Sequence, residues 1–120
     1  MVTLEQQRAK YAWESAKGKG KDFKSLAKGA PALIMSNGIM PSLAFWWSKK
    51  NEEKQPEYRQ LVRIILAWLK TRNIVKSSDF EFSMEELQNM ESTEKFRNAT
   101  EETLEFLKWL RNFASAVCKD

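Results

Sequence analysis

The chain has no histidine among its 120 residues. That excludes Ser–His and Cys–His nucleophile pairs, histidine-based ribonucleases and nearly all catalytic zinc sites, which need an imidazole. Cysteine is almost as scarce. Cys118 stands alone, so there is no disulfide framework, a reducing, cytoplasmic setting is expected, and the thiol reads as a small packing residue. Glycine and proline number only four and three, and no glycine-rich phosphate loop can be built from them. Gly18-Lys19-Gly20 lacks both the third glycine and a preceding strand. Glu85-Glu86 and Glu101-Glu102 are adjacent pairs, and neighbours on a helix point about 100° apart instead of converging on a metal. The expectation is a protein without catalytic residues, metal, cofactor or small-molecule substrate.

A secretory leader is not expected either, because MVTLEQQRAKYAWE meets charge from Glu5 onward and has no apolar centre. One segment does invite a membrane reading. Residues 29–48, GAPALIMSNGIMPSLAFWWS, carry no charged side chain, and about twenty apolar residues suffice to cross a bilayer. Trp46 and Trp47 followed by Lys49 and Lys50 even imitate an interfacial belt with a positive flank. Yet Asn37, Gly38, Pro31 and Pro41 would free backbone groups that find no water in hydrocarbon. The segment reads as core, with no membrane partner.

What is present is ordinary for a packed globular domain: 42% apolar and 30% charged residues, with five tryptophans. Strand-like alternation occurs only at Phe80-Glu81-Phe82, whereas helical signals recur throughout. Thr3 and Gln6 form a capping box for a helix over 4–17 with Ala9, Ala12, Trp13 and Ala16 inside. A short helix over 22–28 places Phe23, Leu26 and Ala27 on one side and Lys21, Lys24 and Lys28 on the other, with Gly29 closing it. Pro31 opens the next helix, which runs to Lys50 with a kink or break from Pro41. A polar turn from Asn51 leads to Pro56, which starts a helix to Thr71. Its inner stripe is Tyr58, Leu61, Val62, Ile65, Trp68 and Leu69. Arg59, Arg63 and Lys70 fall within about 40° of one another on the opposite side. Residues 72–82 read as a loop, and Ser83 with Glu86 as a capping box for a helix over 84–90. Ser92 or Thr93 caps a last helix to Cys118, with Phe96, Ala99, Thr103, Phe106, Leu107, Leu110, Phe113, Ala114 and Val117 inward. The predicted fold is all-α, one compact domain over 1–120 with five or six helices.

Charge is unevenly spread along the chain. Residues 1–76 hold 15 Lys and Arg against 6 Asp and Glu; residues 77–120 hold 5 against 10. A basic row on a solvent face can follow a phosphate backbone, or it can serve solubility alone.

The segment APALIMSNGIMPSLAFWWSKK resembles the central signature of the small-subunit family of type III-B CRISPR effector complexes, the Cmr (RAMP-module) complexes. The likeness lies in Ala30-Pro31, Asn37-Gly38, Leu43-Ala44-Phe45 and Lys49. TLEQQRAKYAWE is similar to the family's first helix through Leu4, Glu5, Arg8 and Ala12. ATEETLEFLKWLRNFASAV is similar to its last through Trp109-Leu110-Arg111 and Phe113-Ala114. The resemblance implies a non-catalytic helical subunit that stacks in several copies along the backbone of a crRNA-guided, RNA-targeting complex. Its partners would be the backbone and large subunits, copies of itself, crRNA and target RNA. Candidate RNA contacts are Arg8, Lys24, Lys28, Lys49, Arg59, Arg63, Lys70 and Arg111; the structural motif is Pro31, Asn37, Gly38, Phe45 and Trp109. Asn37 reads as a buried side chain bonded to backbone, and Gly38 as a point of close helix approach. Trp46, Trp47 and Trp109 read as core or subunit-interface packing ahead of base stacking. Two other classes stay open at this stage, a free-standing helical nucleic-acid-binding regulator and a pure protein–protein adaptor.

Overall fold

In the computed structural model, which describes residues 1–49 and 52–119, six helices follow one another with no strand among the described residues. They are α1 (Leu4–Ala16), α2 (Lys21–Asn37), α3 (Ile39–Trp47), α4 (Pro56–Thr71), α5 (Phe80–Gln88) and α6 (Thr93–Val117). Helix α6 is the spine. Its 25 residues rise about 37 Å, close to the full length of a molecule measuring 43 × 40 × 24 Å. Both α1 and α2 lie along it, α4 crosses it, and α3 and α5 pack on α4.

The reason lies in the spacing of apolar residues. Helix α6 buries Ala99, Glu102, Thr103, Phe106, Leu107, Leu110 and Ala114, a run of threes and fours that keeps one stripe facing inward. Phe96, Phe113 and Val117, expected inside, sit half-buried at the stripe's edges. The facing helices answer with small residues, Ala12, Ser15 and Ala16 on α1 and Ala27 and Ala30 on α2. These leave room for the large side chains of α6. Trp13 does not join them: it is 41% exposed, with its ring edge-on to Phe113 at 5.2 Å. Cys118 is buried as expected, its Sγ 3.6 Å from the Ala16 carbonyl oxygen.

The middle of the chain corrects the sequence reading. There is no break at Gly29 and no new helix at Pro31. Instead α2 runs through both, although Pro31 cannot donate to the Ala27 carbonyl and an interior proline costs about 3 kcal/mol or more. The helix persists because Phe23, Ala27, Ala30 and Ile34 form one buried stripe that a break would take out of register.

The break comes at Gly38. Its φ of 88° and ψ of 166° belong to a region that only glycine adopts freely. An added Cβ would meet nothing nearer than Pro41 Cδ at 3.8 Å, so Gly38 serves backbone conformation and not close helix approach. Asn37 is exposed, not buried. Pro41 is the third residue of α3, where the backbone N–H has no helical partner to lose. Ser42 seals the corner by donating its hydroxyl to the Gly38 carbonyl at 2.7 Å.

Two further boundaries bear on the site. Helix α4 spans Pro56–Thr71 as its stripe predicts; α3 stops at Trp47, short of the expected end at Lys50, which with the turn residue Asn51 lies outside the described residues. Helix α5 begins at Phe80, inside the predicted loop, because Asp79 caps it by accepting from the Phe82 N–H at 3.0 Å. Ser83 is no cap: its buried hydroxyl donates to the Ser77 carbonyl at 2.7 Å.

Substitutions separate these roles. Leu107→Ala should lower stability by about 2–5 kcal/mol, and Glu101→Ala, on the exposed side of the same helix, by about 0.5 kcal/mol or less. The two glycines should respond with opposite signs. Gly29→Ala, mid-helix with open space around it, should stabilise by up to about 1 kcal/mol, whereas Gly38→Ala should cost about 1–3 kcal/mol. Urea unfolding of the four variants measures all of these.

Candidate nucleic-acid interface

The C-terminal end of α3 and the first turns of α4 bring three predicted contact residues together. Helix α3 buries Ile39, Ser42, Leu43 and Trp46, which turns Phe45 outward at 50% exposure and leaves Trp47 half-buried. The ring of Phe80, from α5, stacks on Trp47 at 4.9 Å and 8°. The Arg59 guanidinium lies 4.4 Å from the Trp47 ring centroid and that of Arg63 5.2 Å. With a ring and two guanidinium groups packed against it, Trp47 is a pier for cations and not a platform for a base.

Arg59 also donates Nε–H to the Trp47 carbonyl at 3.1 Å. Helix α3 thus ends against α4 through this side chain. Here the helical wheel misleads: Arg59 stands opposite the apolar stripe of its own helix, yet it is half-buried and helps hold α3 in place. Lys49 Nζ lies 4.5 Å from the Phe45 ring centroid and 5.3 Å from that of Tyr58. Beside this corner a shallow groove of about 400 Å³ runs between Leu26, Gly29 and Leu33 of α2 and Phe45 and Tyr58. The arrangement offers three cations, a half-exposed ring that one of them already covers, and a groove lined also by Asp22 and Ser25. Such a surface can meet a single strand's phosphates.

The other candidates are scattered. Lys28, Lys70 and Arg111 are exposed on α2, α4 and α6, and Lys24 is half-buried and partnered. Lys70 follows Arg63 by about two turns, in the last turn of α4, where a cation offsets the helix dipole. Pro31 lies within α2. Trp109 is half-buried 5.6 Å from the Phe113 ring, its indole N–H enclosed without an acceptor. Trp46 is fully inside.

Arg8 belongs elsewhere. All three of its guanidinium nitrogens are bonded: Nε to Glu102 Oε2 at 2.7 Å, Nη2 to Glu102 Oε1 at 2.9 Å and Nη1 to Glu5 at 2.8 Å. Glu102, only 4% exposed, also accepts from Trp68 Nε1 at 3.0 Å and from Arg72 Nε at 3.4 Å. Tyr11, Trp68 and Phe106 stack beside it, with centroids 5.4–5.6 Å apart. Burial alone would raise this carboxyl. Hydrogen bonds from Arg8 and Trp68, with the charges of Arg8 and Arg72, outweigh it and hold the group below the usual carboxylate range. The sequence carries a signal for it: Glu102 stands three residues after Ala99 and four before Phe106, on the inward stripe.

Among the described residues no group of three or more Cys, Asp or Glu side chains is gathered where it could hold a metal ion. No helix there is long and apolar enough to cross a membrane. A family model described as CRISPR-associated protein (Cas_Cmr5) matches residues 4–117. The fold is similar to the X-ray crystal structure of a CRISPR-associated Cmr5 family protein from Thermus thermophilus. The TM-score is 0.77 at 22% sequence identity, over 98% of this chain and 99% of that one.

The Glu102 cluster yields a stability test. Glu102→Ala, which strands Arg8 and the Trp68 N–H, should cost about 3–5 kcal/mol. Because the folded carboxyl titrates below its unfolded value of about 4.3, its contribution is fully present above that pH. It is lost as pH falls through the lower folded value. Urea midpoints of the parent should therefore fall on acidification below about pH 4, and Glu102→Gln should show a shallower acid limb.

Proposed function

The chain belongs to the CRISPR-associated Cmr5 family, the small-subunit family of type III-B CRISPR effector complexes, and we propose that its α3–α4 corner contacts the target RNA of such a complex. The observation that carries this reading is the convergence of Lys49, Arg59 and Arg63 beside the half-exposed ring of Phe45. In guide-directed complexes base pairing reads sequence, so a small subunit needs only phosphate and shape contacts. Arginine forks suit phosphate oxygens, and the half-exposed Phe45 ring, with Lys49 over it, adds an aromatic contact for a base. Exposed Lys28, Lys70 and Arg111 extend the positive field; Arg8, bonded into the interior, is left out.

In the same reading the subunit is not catalytic. It lacks histidine, and the buried Glu102 carboxylate is neutralised by arginines instead of facing a substrate. Several copies stack along the complex, so a small loss per copy is multiplied along the RNA.

The test uses Arg63→Glu, whose side chain is 55% exposed, since changing Arg59 would also disturb α3. In a reconstituted complex the variant should bind target RNA about five- to tenfold more weakly at low salt, an effect of about 1 kcal/mol or slightly more. The loss should be similar for unrelated guide–target pairs. The log–log salt slope should fall by about 0.7 for each contact removed. Unchanged affinity and slope in a folded variant would leave the corner a solvated face and favour a protein–protein adaptor.

A further inference from the structure

The two arginines on Trp47 already share an anion. Glu52 Oε1 lies 3.1 Å from Arg63 Nη2, and Glu52 Oε2 lies 4.0 Å from Arg59 Nη1. One carboxylate thus bridges two guanidinium groups that rest on the same indole. We propose that this position is the seat of an RNA backbone phosphate, that Glu52 fills it as a stand-in, and that bound RNA displaces the carboxylate. This rests on the reading of the α3–α4 corner as an RNA contact.

Three observations support displacement over a fixed ion pair. First, the seat is under-filled. The contact to Arg63 is a hydrogen bond, whereas that to Arg59 is too long to be one. Arg59 cannot advance to close the gap, because its Nε is bonded to the Trp47 carbonyl and its guanidinium is packed on the ring. Its terminal nitrogen is held ready for a larger anion. A phosphodiester, whose one negative charge is shared by two oxygens on a tetrahedral centre, is free of the turn that tethers Glu52 and can settle between both guanidinium groups.

Second, leaving is cheap. Glu52 is 46% exposed and Arg63 55%, and exposed pairs of this kind hold weakly. Nothing in the core moves if Glu52 swings out, since it precedes α4 and belongs to no buried stripe. Glu102 shows the contrast: it is nearly inaccessible and fully bonded, so it is a permanent counter-ion.

Third, the chemistry selects its occupant. A neutral or cationic group gains nothing by replacing Glu52. A polyanion regains the charge match and adds neighbouring phosphates, which Lys49 can meet from the same corner. Glu52 thereby discriminates against weak or isolated anions, because each must first outcompete a tethered carboxylate.

The experiment compares Glu52→Gln, Arg63→Gln and the double variant in reconstituted complexes, titrated with labelled RNA complementary to the guide at several salt concentrations. Glu52→Gln should tighten binding about two- to fivefold and steepen the salt slope. Arg63→Gln should weaken binding, and in its background Glu52→Gln should gain little, since the seat is then incomplete. If Arg63→Gln weakens binding but Glu52→Gln leaves it unchanged or weaker, the displacement is wrong while the interface stands. If neither change alters RNA affinity, both the seat and the wider reading of the corner fall. Circular dichroism of each variant excludes misfolding as the cause.

Discussion

A single buried carboxylate ties the molecule together. Glu102 projects from the inner stripe of α6 into a ring of donors supplied by Arg8 of α1, Trp68 of α4 and Arg72 just beyond α4. An ionised group there would be untenable without them. The constraint works in both directions: the charge demands the donors, and meeting the donors fixes the sliding and rotation of three helices relative to one another. Apolar packing alone tolerates small shifts of register, and a bidentate arginine fork does not.

The surface corner inherits its geometry from that interior. Helix α4 presents Trp68, with Arg72 just past its end, to Glu102 on one side and Arg59 and Arg63 to Trp47 near the other end. Because α4 is anchored at Glu102, the two arginines at its start point at a fixed place, where α3 arrives after the turn at Gly38. Phe80 braces the same indole from α5. Arg59 and Arg63 are therefore positioned by a packed helix, whereas Lys49 stands two residues beyond the end of α3.

Much of this is legible in the sequence, and most of the failures share one cause. Helices α1, α4 and α6 follow from a capping box, a proline at the first position and long stripes of threes and fours. Sequence reading fails wherever a distant partner outvotes a local signal. Gly29 and Pro31 both argue locally for an end to α2, but the stripe from Phe23 to Ile34 belongs to α6, which lies far along the chain. The early start of α5 is the exception, a local signal passed over, because Asp79 caps the helix before Phe80 stacks on Trp47. Arg59 looks free on a wheel that shows only its own helix. Glu102 is read from sequence only as a residue diverging from Glu101, and its four distant donors from Arg8, Trp68 and Arg72 have no local sign. The family resemblance drawn from three segments agrees with a family match over residues 4–117, while the candidate RNA contacts have no local signature beyond charge.

The placement of α6 carries a consequence for how the chain comes to be folded. The surfaces it covers belong to α1 and α2, and the bonds that close the structure join residues 94 and 102 positions apart. Most small helical proteins assemble from contacts between neighbours and fold quickly; long closures slow the search. During synthesis the first two helices emerge with their alanine-lined faces uncovered, and Arg8 has no carboxylate to meet. They wait until the last helix has left the ribosome. Docking of α1 and α2 thus waits for the synthesis of α6, and a nascent chain stalled before residue 102 would lack the spine on which those two helices rest.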